Sequence, residues 1–171
     1  DFERAVIYLT DETHHCVQKA LRLAGMGESV IRYVQMDENF SMQPEALEAT
    51  IKEDLRLGLI PFLLIGSAGT TNTGAIDPLD KLADIASNHR IWFHVDAAYG
   101  GFFLLVEALR SKFKGIEKAD SIVMDPHKSL FMPYGSGVIL VRNAEHLFKS
   151  NYYTAAYLQD DMEGQDERSP A

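Results

Sequence analysis

The sequence is short of cysteine, of long apolar runs and of positive charge. Its one cysteine, Cys16, excludes an internal disulfide framework and is typical of a protein from the reducing cytoplasm. No apolar run approaches the ~18 residues of a membrane-spanning helix. The net charge is -9 with 16 lysines and arginines, so we expect no basic surface for nucleic acid or an anionic membrane. These shortages predict a cytoplasmic protein that binds neither.

The composition is that of a folded domain, with 46% hydrophobic and 24% charged residues in a chain of 171. The chain starts at Asp1 rather than at Met, and its far end, QDDMEGQDERSPA, is polar and acidic and completes no helix or strand pattern. We therefore expect a fragment of a longer protein. Residues 1–151 would belong to one large domain, and residues 152–171 would form a polar, flexible segment.

Apolar runs alternate with segments of helical period along the chain. Strands are predicted at 5–9, 30–34, 62–67, 92–97, 121–125 and 137–141. Helices are predicted around Val17 to Ala24, from Pro44 to about Leu57, and after Asp77, which would cap the helix that carries Leu79, Leu82, Ala83 and Ala86. Strands that alternate with crossover helices predict an α/β fold, in which a mostly parallel sheet is flanked by helices on both faces.

Polar and ionisable side chains follow four of the predicted strands at their carboxyl ends. They are Thr10, Asp11, His14 and His15 after the first strand, Thr70 and Thr71 after the third, Asp96 at the end of the fourth, and Asp125, His127 and Lys128 after the fifth. Ligands of open parallel sheets bind beyond the carboxyl ends of the strands. The pattern therefore predicts a functional site at this edge of the sheet.

Each of these residues also has a structural interpretation. A histidine at a helix start, such as His14, is more often a cap or a surface residue. A buried Asp96 needs a partner, which backbone groups or an arginine would provide. The loop at 69–74 lacks both the G-x-G-x-x-G pattern and the Walker lysine, so it is a weak nucleotide motif.

Lysine is the reactive residue type that remains in a suggestive place. The sequence has no H-E-x-x-H or CxxC metal pattern and no G-x-S-x-G serine motif. Lys128 follows a buried strand and stands beside His127. Partial burial and a neighbouring cation both favour lysine as a nucleophile toward carbonyl groups.

Two long motifs closely resemble the group II pyridoxal-phosphate-dependent decarboxylases, which include aromatic-amino-acid, glutamate, histidine and cysteine-sulfinate decarboxylases. They are HVDAAYGG at 94–101 and DPHKSLFMPYGSGVILVR at 125–142. TDETHHCVQKA at 10–20 looks like the family segment whose histidine stacks on the cofactor, and GTTNTGAIDPL at 69–79 looks like its Gly-Thr-Thr loop. The resemblance implies pyridoxal 5'-phosphate as cofactor and the large domain of the type I, aspartate aminotransferase-like fold.

The resemblance also implies a role for each matching residue. Lys128 would hold pyridoxal phosphate as a Schiff base, and Asp96 would pair with the pyridine nitrogen. His14 would stack on one face of the ring, and Ala98 would pack against the other. Small side chains after Asp96 let a flat ring lie close to the sheet, and a protonated ring accepts the electrons left when carbon dioxide departs.

Three further residues belong to the implied cofactor site. Thr71 would contact the oxygen side of the ring or the substrate carboxylate, and His127 would lie near the phosphate. Asp125 stands where familiar animal members carry asparagine beside the phosphate, and its charge would repel that group. Ser129 replaces a common tryptophan, so the motifs do not name the amino acid.

The implied function is decarboxylation of an L-amino acid by a homodimer. The family's phosphate-binding loop would precede residue 1, and its mobile catalytic loop and small C-terminal domain would follow residue 171, so the remaining segments of the protein are expected to complete the site. A second hypothesis is another reaction of the same fold, such as transamination or an aldolase-type lyase cleavage. A third is a non-catalytic scaffold, which the joint presence of the site residues disfavours.

Overall fold

A computed structural model describes residues 2–152 of the chain. Its strands are β1 (Ala5–Leu9), β2 (Val30–Tyr33), β3 (Ile60–Ser67), β4 (Trp92–Asp96), β5 (Ser121–Met124) and β6 (Val138–Val141). Its helices are α1 (Cys16–Leu23), α2 (Pro44–Arg56), α3 (Leu79–His89), α4 (Glu107–Arg110), α5 (Pro126–Ser129) and α6 (Ala144–Asn151), with 3-10 turns at Phe2–Arg4, Gly101–Leu105, Ser111–Phe113 and Ile116–Lys118. No helix within this part of the chain is long and apolar enough to cross a membrane.

The strands form one sheet in the order β2-β1-β3-β4-β5-β6. The four pairs from β2 to β5 are all parallel, as strands joined by crossover helices require. The α/β class and the mostly parallel sheet predicted from the sequence are thus confirmed. The order brings the carboxyl ends of β1, β3, β4 and β5 to one edge as consecutive neighbours.

The two faces of the sheet are covered very differently. Every residue of the central strand β1 is buried. One face carries a large core, to which α2, α3 and the segment 113–119 contribute Leu47, Ile51, Leu79, Leu82, Ala83, Ala86, Phe113, Ile116 and Ala119. The buried cluster on the other face contains four residues, Ile7, Leu9, Leu21 and Ile65, of which only Leu21 comes from a helix, α1. The apolar stripe predicted for α3 is confirmed, and α1 alone packs its buried leucine against the second face.

Strand β3 begins at Ile60, two residues before the predicted start at Phe62. Pro61 lies within the strand opposite Val6, and the register shifts between Val6 and Ile7. Proline has no amide hydrogen and is tolerated in a sheet where a bulge interrupts the ladder. The proline therefore hides the true start of the strand from an analysis of apolar runs.

Asp77 does not cap α3 as predicted. Pro78 is the residue before the helix, and no side chain caps it. The Asp77 carboxylate instead accepts hydrogen bonds from the backbone amides of Met42 and Ser67, both at 2.7 Å, and the residue is 3% exposed. Burial raises the pKa of Asp77, although the two amide donors oppose the shift. Asp77 thus joins the end of β3 to the loop before α2.

Residues 2–140 form one compact unit, and the described residues 141–152 belong to a second one. The described part of the second unit contains α6, whose first turn is capped by the Asn143 side chain, which accepts a hydrogen bond from the amide of Glu145 at 2.9 Å. The predicted polar segment 152–171 lies outside the described residues apart from Tyr152. The division into a large domain and this segment therefore stays a prediction.

Candidate active site at the carboxyl edge of the sheet

Lys128 lies in the one-turn helix α5, directly beyond β5. Asp125 is the last extended residue before the turn and Pro126 occupies its first position, which suits the fixed φ of proline. The Lys128 amide donates to the Asp125 carbonyl at 3.0 Å, and its Nζ lies 2.8 Å from Asp125 Oδ2. The lysine side chain is 39% exposed and that of Asp125 19%. The structure thus brings two predicted site residues into an ion pair at the carboxyl end of β5.

Asp96 ends β4, next to the strand that leads to Lys128. Its Oδ1 accepts a hydrogen bond from the amide of Ala98 at 3.1 Å. The Ala98 carbonyl in turn accepts from the amide of Asp125 at 3.2 Å, and the amide of Ala97 donates to the Val123 carbonyl at 3.0 Å. The ends of β4 and β5 are therefore tied together, which fixes Asp96 and α5 relative to each other.

The loop that carries Thr71 crosses the loop after Asp96 at two glycines. Gly69 has a φ of +99°, and a Cβ on it would lie 2.9 Å from the Gly100 Cα. A Cβ on Gly100 would overlap the carbonyl of Ala68. Thr71 lies exposed in this loop, which Thr70 closes through its hydroxyl, 2.7 Å from that of Thr73. The close backbone contact sets the position of the Thr71 loop relative to Asp96.

His14 lies in the loop between β1 and α1. Its Nδ1 accepts a hydrogen bond from the amide of Cys16 at 3.3 Å, which directs its hydrogen to Nε2. The rings of His14 and His15 are 4.2 Å apart at a tilt of 42°. The helix start that follows, with the Val17 amide bonded to the His14 carbonyl at 3.1 Å, fixes the backbone of this histidine.

Cys16 is not among the predicted site residues, yet the charges of the site act on it. Burial raises the pKa of the Cys16 thiol, the negative charges of Asp96 and Asp125 raise it further, and Lys128 opposes them. The residue begins α1 two positions after His14. A cysteine next to a predicted site histidine is the sequence signal that would have drawn attention to it. The first, fourth and fifth strands thus bring their residues to one place.

His127 is turned toward the segment that follows α5. Its Nδ1 donates to the carbonyl of Ser136, and its ring meets that of Tyr134 edge to face at 5.0 Å. A carbonyl only accepts hydrogen bonds, so the Nδ1 hydrogen is committed there. Nε2 is the nitrogen that remains for a ligand.

One protein-family model matches almost the whole chain. The model of the pyridoxal-dependent decarboxylase conserved domain matches residues 2–168. The chain belongs to the pyridoxal-dependent decarboxylase family. The predicted family resemblance is thereby confirmed.

Curated relatives and solved structures agree with this family. An aromatic-L-amino-acid decarboxylase of Bacillus atrophaeus is 41% identical over 160 residues, which cover 94% of this chain and 33% of the relative. Mouse cysteine sulfinic acid decarboxylase is 39% identical over 143 residues, 84% of this chain and 29% of the relative. A structure of Oryza sativa TDC with PLP and tryptamine superimposes with a TM-score of 0.86 at 33% identity, over 96% of this chain and 35% of the other. This chain spans about a third of the length of the curated relatives it matches.

The residues at the edge fit the cofactor of the pyridoxal-dependent decarboxylase family. An aldehyde-bearing pyridinium needs an amine to hold its carbonyl carbon and an acid for its ring nitrogen. Lys128 and Asp96 lie at the ends of neighbouring strands and would supply these groups, and the backbone amide of Ala98 bonds to Asp96 Oδ1. No group of three or more metal-binding side chains lies close together among residues 2–152.

Proposed function

We propose that this chain carries the cofactor-binding part of an enzyme that uses pyridoxal 5'-phosphate to decarboxylate an L-amino acid. The observation that supports it best is that an amine, Lys128, and a carboxylate, Asp96, lie at the ends of two adjacent strands in a member of this family. The two relatives described above are decarboxylases of an aromatic and of an acidic amino acid. These relatives share the reaction and differ in the side chain of the amino acid, which supports decarboxylation of an L-amino acid here.

Lys128 supplies the nucleophile of the proposed site. When bound, pyridoxal phosphate provides a carbonyl carbon that exchanges amino groups and a conjugated ring that accepts the electrons left on the alpha carbon as carbon dioxide departs. The Lys128 amine must leave the 2.8 Å contact with Asp125 to reach such a carbon. Asp125 then remains as the nearest carboxylate to take up a proton, which is a role we add to its expected place in the cofactor site.

Asp96 holds a proton on the ring nitrogen in the proposed site. The amide of Ala98 fixes one carboxylate oxygen and leaves the other to face the ring. The methyl group of Ala98 offers a small flat surface to one face of the ring. His14, with its hydrogen on Nε2, covers the other face.

Thr71 and His127 complete the proposed contacts. Thr71 lies exposed in its loop, so its hydroxyl is available to the oxygen side of the ring or to the substrate carboxylate. His127 has Nε2 as its remaining nitrogen, because its Nδ1 donates to the backbone, and Nε2 would donate to the phosphate when it also carries a hydrogen.

We also propose that the protein is a cytoplasmic homodimer. Its one cysteine supports a reducing compartment. Phe131 and Tyr134, close after Lys128, are 92% and 94% exposed, and aromatic side chains this exposed are typical of surfaces that another chain segment covers. Light scattering of the full-length protein on a sizing column would return twice the monomer mass. A monomer at micromolar concentration would contradict the dimer without affecting the proposed reaction.

Lys128→Ala in the full-length protein tests the proposed function. The variant should lose the visible absorbance of lysine-bound cofactor and essentially all release of carbon dioxide from a panel of L-amino acids. Lys52→Ala is the matched control, since Lys52 is an exposed lysine that is likewise ion-paired, to Glu48 at 3.0 Å. Normal absorbance and turnover in Lys128→Ala would refute the role of Lys128. Formation of a keto acid in place of carbon dioxide would assign the site to transamination.

A further inference from the structure

His94 lies on the same side of the sheet as Asp96, one pleat away. In β4, Phe93 and Val95 are buried in the large core, 1% and 0% exposed, so Trp92, His94 and Asp96 face the opposite side. Alternate residues of a strand are about 7 Å apart. An imidazole therefore lies directly behind the carboxylate that ends the strand.

The His94 ring is held by a hydroxyl of the neighbouring strand. Ser121 of β5 is the register partner of His94, and its Oγ lies 2.8 Å from His94 Nδ1. The same Oγ accepts a hydrogen bond from Trp92 Nε1 at 2.9 Å. An indole only donates, so Trp92 does not use the hydroxyl hydrogen, and Ser121 can donate it to Nδ1 of His94. The ring then carries its hydrogen on Nε2 and has no need of a second proton.

The surroundings of His94 favour its neutral form. Burial lowers the pKa of His94, and the charge of Asp96 opposes that shift without cancelling it. Its register partners, Ile65 of β3 and Ser121 of β5, carry no charge. Asp96 is therefore the charged group that acts on His94 within the described part of the chain.

We propose that Trp92 and Ser121 hold His94 as a neutral neighbour of Asp96, which reserves the charge of Asp96 for the cofactor. His94 is thus a positioning residue, and its role rests on the function proposed for Asp96. A protonated His94 about 7 Å from the Asp96 carboxylate would compete with the protonated ring nitrogen of the cofactor. It would lower the affinity for the cofactor by roughly tenfold or more. Removing the Ser121 hydroxyl removes the hydrogen bond that favours the neutral ring.

The experiment follows the protonation of His94 and the cofactor affinity of the full-length protein separately. Histidine NMR of the cofactor-free protein should show His94 titrating below the usual histidine pKa of 6.5, and Ser121→Ala should move the His94 midpoint upward. Between pH 7.5 and 5.0 the parent should lose affinity for pyridoxal phosphate about tenfold more than His94→Gln does. His89→Gln, which removes a histidine at the far end of α3, should follow the parent.

Two results would overturn the proposal. One is a His94 midpoint at or above the usual histidine pKa of 6.5, and the other is the same pH dependence of affinity in His94→Gln as in the parent. Asp96→Asn separates this failure from a failure of the proposed function. If Asp96→Asn weakens cofactor binding or turnover while His94→Gln changes nothing, only the role of His94 is wrong. If Asp96→Asn changes neither, the role of Asp96 is wrong and that of His94 falls with it.

Discussion

Gly100→Ala should damage the site by steric overlap alone. Gly100 has φ -88° and ψ -15°, which alanine adopts readily, so backbone strain makes no contribution. The added Cβ would lie 2.9 Å from the carbonyl carbon of Ala68 and 3.2 Å from the Cα of Gly69, and it would overlap the Ala68 oxygen. These atoms are backbone, and Ala68 is held by its bridge to Ile76. No flexible side chain is available to move aside.

The expected cost follows from that rigidity. Overpacking in a well-packed region destabilises by about 1–3 kcal/mol and occasionally by more. Replacing glycine where its conformation suits alanine restores roughly 0.4–1 kcal/mol by restricting the unfolded chain. We therefore expect Gly100→Ala to lower the free energy of unfolding by about 2 kcal/mol. The Thr71 loop should also shift relative to Asp96, so cofactor affinity should fall at a temperature where the variant is still folded.

Urea unfolding followed by circular dichroism measures the first effect, and absorbance titration with pyridoxal phosphate measures the second. Gly27→Ala is the control, because the nearest atom to its Cβ, Arg22 Cγ, is 3.5 Å away. That variant should be as stable as the parent or slightly more stable. The close crossing of the two loops would be refuted if Gly100→Ala had a free energy of unfolding within about 0.5 kcal/mol of that of the parent and an unchanged cofactor affinity.

Two further predictions concern carboxylates. Asp96→Asn keeps the shape of the side chain but removes its charge. The bound cofactor should therefore keep its visible absorbance while turnover falls about 10²-fold or more. Turnover within a few-fold of the parent would make Asp96 a structural acid. Asp77→Ala leaves the amides of Met42 and Ser67 without their acceptor. At about 1–3 kcal/mol for each unsatisfied group, we expect it to lower the free energy of unfolding, measured in urea, by roughly 2–6 kcal/mol. Asp84→Ala, on the exposed side of α3, should change the free energy of unfolding by less than about 1 kcal/mol, and equal losses in the two variants would contradict the role of Asp77.

The placement of the site could be predicted because it depends on local patterns. Apolar runs mark the strands, and parallel strands carry the residues that follow them to a common edge. This pattern predicts that Asp96, Asp125 and Lys128 lie together, and the structure shows them joined by backbone hydrogen bonds and an ion pair.

The rest depends on contacts between distant parts of the chain. Asp77 looks like a helix cap in the sequence, and only the fold brings the amide of Met42, 35 positions earlier, within 2.7 Å of it. The hydroxyl of Ser121 reaches His94 across 27 positions, through the register of two strands. Cys16 is near the site charges because α1 starts at the same edge, and its place two residues after His14 is the one sign of this in the sequence.

The two faces of the sheet carry unequal amounts of helix packing, and this determines which part of the protein unfolds locally first. Helix α1 has eight residues and a single buried side chain, Leu21, whereas α2 and α3 bury seven between them. Isolated helices this short are unstable in water, so α1 depends on packing against the sheet. Its single buried side chain, Leu21, provides little of that packing. Partial opening events begin where few apolar contacts must be broken. We expect the amides of α1 to exchange with deuterium far sooner than those of β1, so that His14 leaves and rejoins the edge while the sheet beneath it stays intact.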